Sequence, residues 1–530
     1  MKKYNWYLIL LVVIFLLFRL YSLNSLPLFG DEIDVGNQAY SLLTTARDYK
    51  GNLLPSYIQS FSESRAPLLM YFTVPFIAIF GLNSWGVRLA PLFFSILTLI
   101  FFYLLVKKLS NKNTLAIFST IILSTSPIFF HYSGLAFEST LLLFLIISAT
   151  YFYLNNKHLI SFLLFALSFY TYNTANIFVP LLLVYLFIKS FKQIKNVQKY
   201  FLSGLPAVLL LLPLMYQILF ASGASRFSLI SIFNSKQSEN VEIKRSSVAN
   251  PYSLSEKIFH NRPEQILKNF SQNYLESLSL NTIFVNADPN PRHSVPTFGF
   301  ILLPLCLLFP FIRFNSYDGI FLFWLLAAPI ASSLTVGGGH HATRLFLLLP
   351  AISYFLGKGA DYLFAKYKAI LFFIVILFLY FLASFLHEYH IHYPTDQYQS
   401  WGYGYQELFS SLPNTQNRVF ISNPNYNLLN PYIFYKKIDP KIYQRNFIDQ
   451  PSPIDSVLGY QLVKAYFITD WKGDTLKKIE DLAKNGDIFV LTQLKDIPGD
   501  MILDKLSGFT LQKVIYNPLG QPIYQIIQKQ

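Results

Sequence analysis

Long apolar runs, separated by short polar stretches that carry Lys or Arg, recur along the first three-quarters of the chain. A helix crossing a bilayer needs roughly 17–25 mostly apolar residues. On that basis spans are expected near 6–23, 85–106, 114–130, 139–154, 159–175, 177–190, 201–220, 298–313, 319–335, 343–357 and 369–386. The pattern therefore predicts a polytopic α-helical membrane protein with about eleven transmembrane helices. The run after Lys2 and Lys3 is too long for a signal peptide and lacks a small-residue cleavage site, so it reads as an uncleaved first span.

Positive charge orients these spans. Lys2 and Lys3 place the N-terminus in the cytoplasm, and Lys107, Lys108 and Lys112 belong on the same side. Two loops on one side are separated by an even number of crossings. The spans 6–23 and 85–106 suffice, which leaves the apolar segment 68–82 as an interfacial or re-entrant helix. The same rule puts Lys157, Lys189, Lys192, Lys195, Lys199, Arg313, Lys358, Lys366 and Lys368 inside. Outside fall 24–66 with 68–82 beside it, 131–138, 221–297, 336–342 and the tail after 387. These segments hold Asp31, Glu32, Asp34, Glu63, Arg65, His131, Glu138, Arg226, His260, Asp288, Arg292, His293, His340 and His341, with Arg344 just beyond. Avoidance of the bilayer explains why charges sit in loops. It does not explain why acids and histidines gather on one face.

The pattern changes near residue 396. Apolar runs shorten to strand length at Val419–Ser422, Ala465–Thr469 and Ile488–Thr492. Between the last two, Asp474–Asn485 reads as a helix capped by Asp474, with Leu476, Ile479, Leu482 and Ala483 on one face and Gly486 at its end. Val514–Tyr516 and Ile523–Ile527 read as a hairpin. The expected organisation is a transmembrane domain over 1–390, with outer loops 24–84 and 221–297, and a small soluble α/β domain over 396–530 on the outer face. The soluble part shows no phosphate-binding glycine loop and is expected to scaffold or to recognise an acceptor.

Composition agrees with the pattern. Apolar residues make up 53% and charged residues 13%, against about 25% charged in soluble domains. The net charge of +14 would suggest nucleic acid in a soluble protein. Here it lies mostly in loops between apolar runs and reads as topogenic charge facing anionic lipid, with no nucleic-acid partner. A single cysteine, Cys306 in an apolar run, excludes a disulfide framework or a Cys-based metal site within the chain.

Five polar constellations on the outer side could carry chemistry. In Pro27-Leu28-Phe29-Gly30-Asp31-Glu32, adjacent carboxylates at a water–membrane boundary can act as a base or bind a metal, or simply cap a helix. In Phe61-Ser62-Glu63-Ser64-Arg65-Ala66-Pro67-Leu68, Arg65 suits a lipid phosphate or a headgroup. Glu138, at a span end, is a second acid candidate on the Asp31 side. In Asn286-Ala287-Asp288-Pro289-Asn290-Pro291-Arg292-His293, Arg292 and His293 can bind phosphate, or the run is a Pro- and Asn-rich turn. In Gly337-Gly338-Gly339-His340-His341-Ala342-Thr343-Arg344, the glycines permit close approach to an anion, and the paired histidines suggest a metal.

Taken in order, Asp31-Glu32, Arg65-Ala66-Pro67-Leu68, Phe80-Gly81 with Arg88, Ser168-Phe169-Tyr170-Thr171-Tyr172, Asp288-Pro289-Asn290-Pro291-Arg292-His293 and His341-Ala342-Thr343-Arg344 resemble glycosyltransferase family 39. This is the dolichyl-phosphate-mannose protein mannosyltransferase family, related to the lipid A aminoarabinose transferases. The resemblance covers roughly residues 10–390. It implies a C-type glycosyltransferase fold and a polyprenyl-phosphate-linked sugar donor used at the outer face. It implies Asp31 as catalytic base with Glu32 beside it, and inversion at the anomeric carbon in one displacement. The leaving phosphate would be stabilised by cations from Arg65, Arg292, His293 and Arg344. Phosphate leaves readily, so electrostatic stabilisation can replace a metal; the one cofactor left open is a divalent metal, which would draw on Asp31, Glu138 and His341. The acceptor would be a hydroxyl of a protein, lipid or glycan. Short loops point to a prokaryotic plasma membrane, with undecaprenyl phosphate as carrier. Two alternatives stand beside this reading: a transporter or flippase of lipid-linked glycans, which calls for mid-membrane charges and repeats, and a membrane anchor presenting the soluble tail.

Overall fold

The computed structural model describes residues 2–59, 64–191, 197–220, 230–248, 250–413, 417–423, 428–445, 452–454, 457–471, 474–492 and 506–530. Glu63, Lys192, Lys195 and Arg226 lie outside the described residues.

Ten helices lead from the N-terminus to residue 220: α1 (Lys2–Ser22), α2 (Gly30–Thr45), α3 (Leu68–Phe80), α4 (Ser84–Ser110), α5 (Asn113–Ser124), α6 (Pro127–Ser133), α7 (Glu138–Leu154), α8 (His158–Ser168), α9 (Ala175–Ser190) and α10 (Val197–Phe220). Each lies on an expected apolar run except α2, whose sequence mixes acids, amides and aliphatics, and α3. The latter has 13 residues, about 20 Å of helix, too short to cross a hydrocarbon core of about 30 Å. The run at 114–130 is two helices bent by 67°. Ser126 causes the break: its Oγ accepts the Phe129 N–H at 3.2 Å, and Pro127 opens the new helix.

Among the described residues, three helices are long and apolar enough to cross a membrane, four if the bent pair is one span. Shorter apolar helices, including α7, α8 and α9, complete the bundle, so length does not reproduce the expected count of eleven. One expected span is corrected outright. Residues 298–313 hold a 3₁₀ helix, Leu303–Phe311, with Pro304 and Pro310 inside it. Proline removes backbone donors and breaks α-helical repetition, and nine residues at about 2 Å each span only some 18 Å. The span expected at 343–357 is shifted: short turns over Ala342–Leu348 precede a helix at Leu349–Lys366, which Pro350 opens. Lys358 is within that helix, buried against Asp318, rather than in a polar loop. The last two expected apolar runs form the helices Gly319–Ser333 and Lys368–His387, and the long loop carries four further helices, Ser235–Ser246, Leu254–Phe259, Arg262–Ser277 and Leu280–Phe284.

A seven-stranded sheet follows. After the hairpin β1 (Ile58–Gln59) and β2 (Ser64–Arg65), the sheet comprises β3 (Val419–Ser422), β4 (Ser452–Ile454), β5 (Val457–Leu462), β6 (Ala465–Asp470), β7 (Ile488–Thr492), β8 (Phe509–Tyr516) and β9 (Pro522–Lys529). Its order is β4-β5-β6-β3-β7-β9-β8, with β3 parallel to both β6 and β7. The expected strands, the hairpin and the Asp474-capped helix are present, but the helix (Thr475–Leu482) stops at Ala483, whose extended backbone caps it three residues before Gly486. Strand alternation places Ile421 and Val490 on one face and Phe420 and Phe489 on the other, and each face carries its own apolar cluster.

The sheet region docks on α2. Asn430 accepts from Asn37 Nδ2 at 2.6 Å and from Tyr49 Oη at 2.7 Å through its Oδ1. Gln444 Nε2 donates to Ser41 Oγ at 2.8 Å and to Thr45 Oγ1 at 2.9 Å. Gly36 permits this contact, because a Cβ there would lie 2.6 Å from the Phe434 ring. Thus α2 is held between α3 and α4 on one side and the helices flanking the sheet on the other.

Candidate active site

The first centre is built at the N-terminus of α2. Asp31 and Glu32 occupy its first turn, where the unsatisfied N–H groups and the helix dipole favour negative charge. Their neighbouring positions on a helix point them apart. Asp31 stays 42% exposed and pairs with Arg65 Nη2 at 2.6 Å. Glu32 is fully buried and grips Arg88 through two bonds, Nε to Oε1 at 2.8 Å and Nη2 to Oε2 at 2.6 Å. Arg88 also donates to the carbonyls of Leu23, Leu26 and Pro27, and Glu32 Oε1 accepts the Ala136 N–H at 3.1 Å. The pair therefore pins the loop after α1 to α4 and to the α6–α7 turn. Sequence adjacency alone made Glu32 look like a catalytic partner of Asp31; burial and pairing separate the two.

Asp34, one turn after Asp31, faces the same guanidinium, with Arg65 Nη1 at 3.8 Å from its Oδ2. The i, i+3 spacing on a helix was the signal that could have placed it in the site. Arg88 was the other residue outside the expected set. Its place in an apolar run was the signal, since a buried guanidinium needs a carboxylate.

The second centre joins the end of the long loop to the turn before Leu349–Lys366. His293 Nδ1 lies 2.9 Å from Asp288 Oδ2, and His341 Nδ1 lies 3.9 Å from the same oxygen. The Ala342 N–H donates to Asp288 Oδ2 at 2.9 Å, and the Asn290 N–H donates to Oδ1 at 2.9 Å. The two imidazoles face each other with centroids 4.8 Å apart. Burial raises the Asp288 carboxyl, but the hydrogen bond and charge of His293 and the two backbone N–H groups outweigh it and hold it below its ordinary value. Burial first, then the nearby charges of Arg344 and His293, push His341 down to about 3, partly opposed by Asp288.

An aromatic wall separates the centres. Phe29, two residues before Asp31, meets Phe137 at 5.4 Å, Trp401 at 5.5 Å and the Arg292 guanidinium at 5.9 Å. Phe137 meets His293 at 5.7 Å. Glu138 follows Phe137 as the first residue of α7. Arg344 donates to Thr335 Oγ1 at 2.5 Å. The metal set expected from sequence, Asp31, Glu138 and His341, is not the grouping observed: His341 gathers with Asp288 and His293. Packing accounts for two of the three glycines at 337–339, while Gly337 takes a positive φ of 63° in open space. A Cβ on Gly338 would meet the Ser332 carbonyl at 1.8 Å, and one on Gly339 would meet Glu276 at 2.2 Å, so close packing requires them.

A cleft of about 1000 Å³ opens between the first loop and the sheet region. Leu28, Asn83, Tyr403, Glu407, Tyr435 and Tyr516 are among its lining residues.

The architecture is that of a multi-helix membrane protein with the C-type glycosyltransferase fold and a C-terminal α/β region. Residues 64–216 match the family model of dolichyl-phosphate-mannose-protein mannosyltransferase. The fold is similar over nearly the whole chain to ArnT from Cupriavidus metallidurans. In the apo state the TM-score is 0.54 at 13% identity, covering 99% of this chain and 98% of that one. Bound to undecaprenyl phosphate it is 0.51 at 12%, covering 98% and 97%. The archaeal oligosaccharyltransferase AglB from Archaeoglobus fulgidus, with an inhibitory peptide and a dolichol-phosphate, has a TM-score of 0.46 at 13% identity, over 82% of this chain and 64% of that one. No curated protein matches the chain by sequence. The resemblance to glycosyltransferase family 39 is thus borne out by the family match, which contains Arg65, Arg88 and Glu138, and by the shared fold.

Proposed function

We propose that this protein is a plasma-membrane glycosyltransferase that moves a sugar from a polyprenyl-phosphate donor to an acceptor hydroxyl on the outer face. The observation that carries this reading is Asp31: a part-exposed carboxylate at a helix N-terminus, held by a guanidinium 2.6 Å away. Such a group is reachable by an acceptor and fixed in direction, as a general base must be. In the proposed step the acceptor O–H gives its proton to Asp31 as its oxygen bonds to the anomeric carbon. The bond from that carbon to the phosphate oxygen breaks, and polyprenyl phosphate leaves with inverted stereochemistry at the sugar. Arg65, Arg292 and Arg344 are assigned to the departing phosphate charge. A guanidinium has five N–H donors, so Arg65 can serve Asp31 and a phosphate together. His293 is committed to Asp288 and is not assigned to phosphate. Glu32 is assigned a positioning role through Arg88, and Glu138 remains a second acid beside the aromatic wall.

The same reading puts the N-terminus in the cytoplasm and the site on the outer side, with residues 1–390 as the catalytic membrane domain. Residues 396–530 form the outer α/β domain, whose seam with the first loop receives the acceptor. Support comes from the family match, from the positive-inside pattern and from the tyrosine-lined cleft.

The test is transfer from radiolabelled polyprenyl-phosphate sugars in proteoliposomes, wild type beside Asp31→Asn. Label moving to an acceptor, and lost in the variant at unchanged insertion, supports the reading. Full activity in the variant removes Asp31 as base. Label crossing the bilayer while still on its lipid carrier would make the protein a transporter.

A further inference from the structure

We propose that Asp288, His293 and His341 form a binding site for a divalent transition-metal ion of the zinc class, which clasps the end of the long loop to the turn before Leu349–Lys366. One ligating atom from each residue lies within 4.8 Å of those of the other two. The two distances to Asp288 Oδ2, 2.9 Å from His293 and 3.9 Å from His341, bracket what a metal needs. Tetrahedral coordination with bonds of about 2.0–2.1 Å sets ligands about 3.3 Å apart. Side-chain adjustments of about 0.5–1.5 Å bring all three atoms, now within 4.8 Å of one another, to that spacing.

Three further observations favour an ion over a plain hydrogen-bonded cluster. First, an Asp–His pair accounts for His293 but leaves His341 unexplained: its Nδ1 is buried and has no hydrogen-bond partner among the described residues. Buried polar nitrogens are normally satisfied, and a metal bound between the imidazoles satisfies this one. Second, the carboxylate is oriented from outside, since N–H groups of Asn290 and Ala342 hold both of its oxygens. Ligating carboxylates are typically braced in this way. Third, the nearest arginine downstream does not occupy the space: Arg344 is turned to Thr335 Oγ1. Two imidazoles and one carboxylate select zinc, cobalt or nickel over magnesium or calcium, which prefer oxygen. Three protein ligands leave one tetrahedral position for water or an anion.

The two segments tied by the ion both reach the aromatic wall. Phe137 packs on His293, and the Tyr132 hydroxyl lies 2.7 Å from Thr343 Oγ1. The clasp would therefore order this corner whether or not a donor is bound, and its test needs no sugar transfer.

Full-length protein in detergent is stripped with chelator, dialysed against zinc, and its metal content measured by elemental analysis. Affinity is then measured by titration calorimetry. The expected result is about one equivalent in the wild type, with binding weakened at least tenfold in His341→Gln and in Asp288→Asn. His340→Gln, whose side chain pairs with Glu276 instead, is expected to bind as the wild type does. Cobalt substitution covers the case in which variants misfold. A tetrahedral cobalt spectrum with nitrogen ligands in the wild type supports the site. A hexa-aqua spectrum, no bound metal, or equal binding in both ligand variants overturns it.

Discussion

At the scale of single residues, two neighbouring acids have opposite fates. Asp31 keeps solvent access and an arginine partner, whereas Glu32 is sealed against Arg88. Breaking a buried ion pair strands a charge, which costs about 3–5 kcal/mol. Arg88→Met is therefore expected to lower thermal stability in detergent sharply, because Glu32 and three carbonyls lose their partner. Adding Glu32→Gln to it should recover part of the loss, and a double-mutant cycle by thermal unfolding measures the coupling. Asp31→Asn should leave the unfolding temperature within about a degree or two, since the side chain is part-exposed. On the proposed reading it cuts kcat by about 10²-fold or more. Asp31→Asn protein that unfolds early would mean that the carboxylate holds Arg65 in place rather than performing chemistry.

At the scale of elements, what matters is how closely backbones approach. Gly402 faces the first loop so tightly that a Cβ would sit 2.2 Å from the Leu28 carbonyl. Backbone cannot rotate away as a side chain can, so Gly402→Ala must displace the loop that leads into α2. Overpacking of this kind costs about 1–3 kcal/mol. The expected outcome is a folded protein with reduced kcat, read by transfer assay beside thermal unfolding; unchanged kcat would show that the loop moves without carrying Asp31. The same scale explains where apolar runs misled. The run at 298–313 was apolar enough to span, but its prolines turn it into a short 3₁₀ helix. Of the three glycines before His340, Gly338 and Gly339 let Ser332 and Glu276 come close, a demand that no local pattern showed.

At the scale of the whole molecule, the sheet region braces α2 through Asn430, Gln444 and Phe434. Removing residues 397–530 is expected to destabilise the membrane part and abolish transfer, even though Asp31 remains. Asn430→Ala is the milder version. It removes the side-chain oxygen that accepts from Asn37 and Tyr49 but keeps the backbone carbonyl that also accepts from Asn37, and should cost about 1 kcal/mol. Truncated protein with wild-type activity would show that α2 is held by α3 and α4 alone. The cleft at the seam gives a separate prediction for the acceptor: Tyr435→Ala or Tyr516→Ala should raise the acceptor KM while leaving the donor KM unchanged, in initial-rate measurements with each substrate varied.

Local sequence determined much of this protein. Apolar run lengths specified a helical membrane protein, strand-length runs and Asp474 specified the sheet and helix near the end, and the order of polar motifs pointed to the family. These are properties of contiguous residues, where hydrophobic period and capping act directly. Tertiary structure decided the rest. Which of two adjacent acids stays exposed, that Asp34 and Arg65 meet, that Arg88 neutralises Glu32, and that His341 joins Asp288 and His293 all depend on groups far apart along the chain. Burial and pairing are properties of the packed fold, and no local pattern encodes the partner that a charge will find.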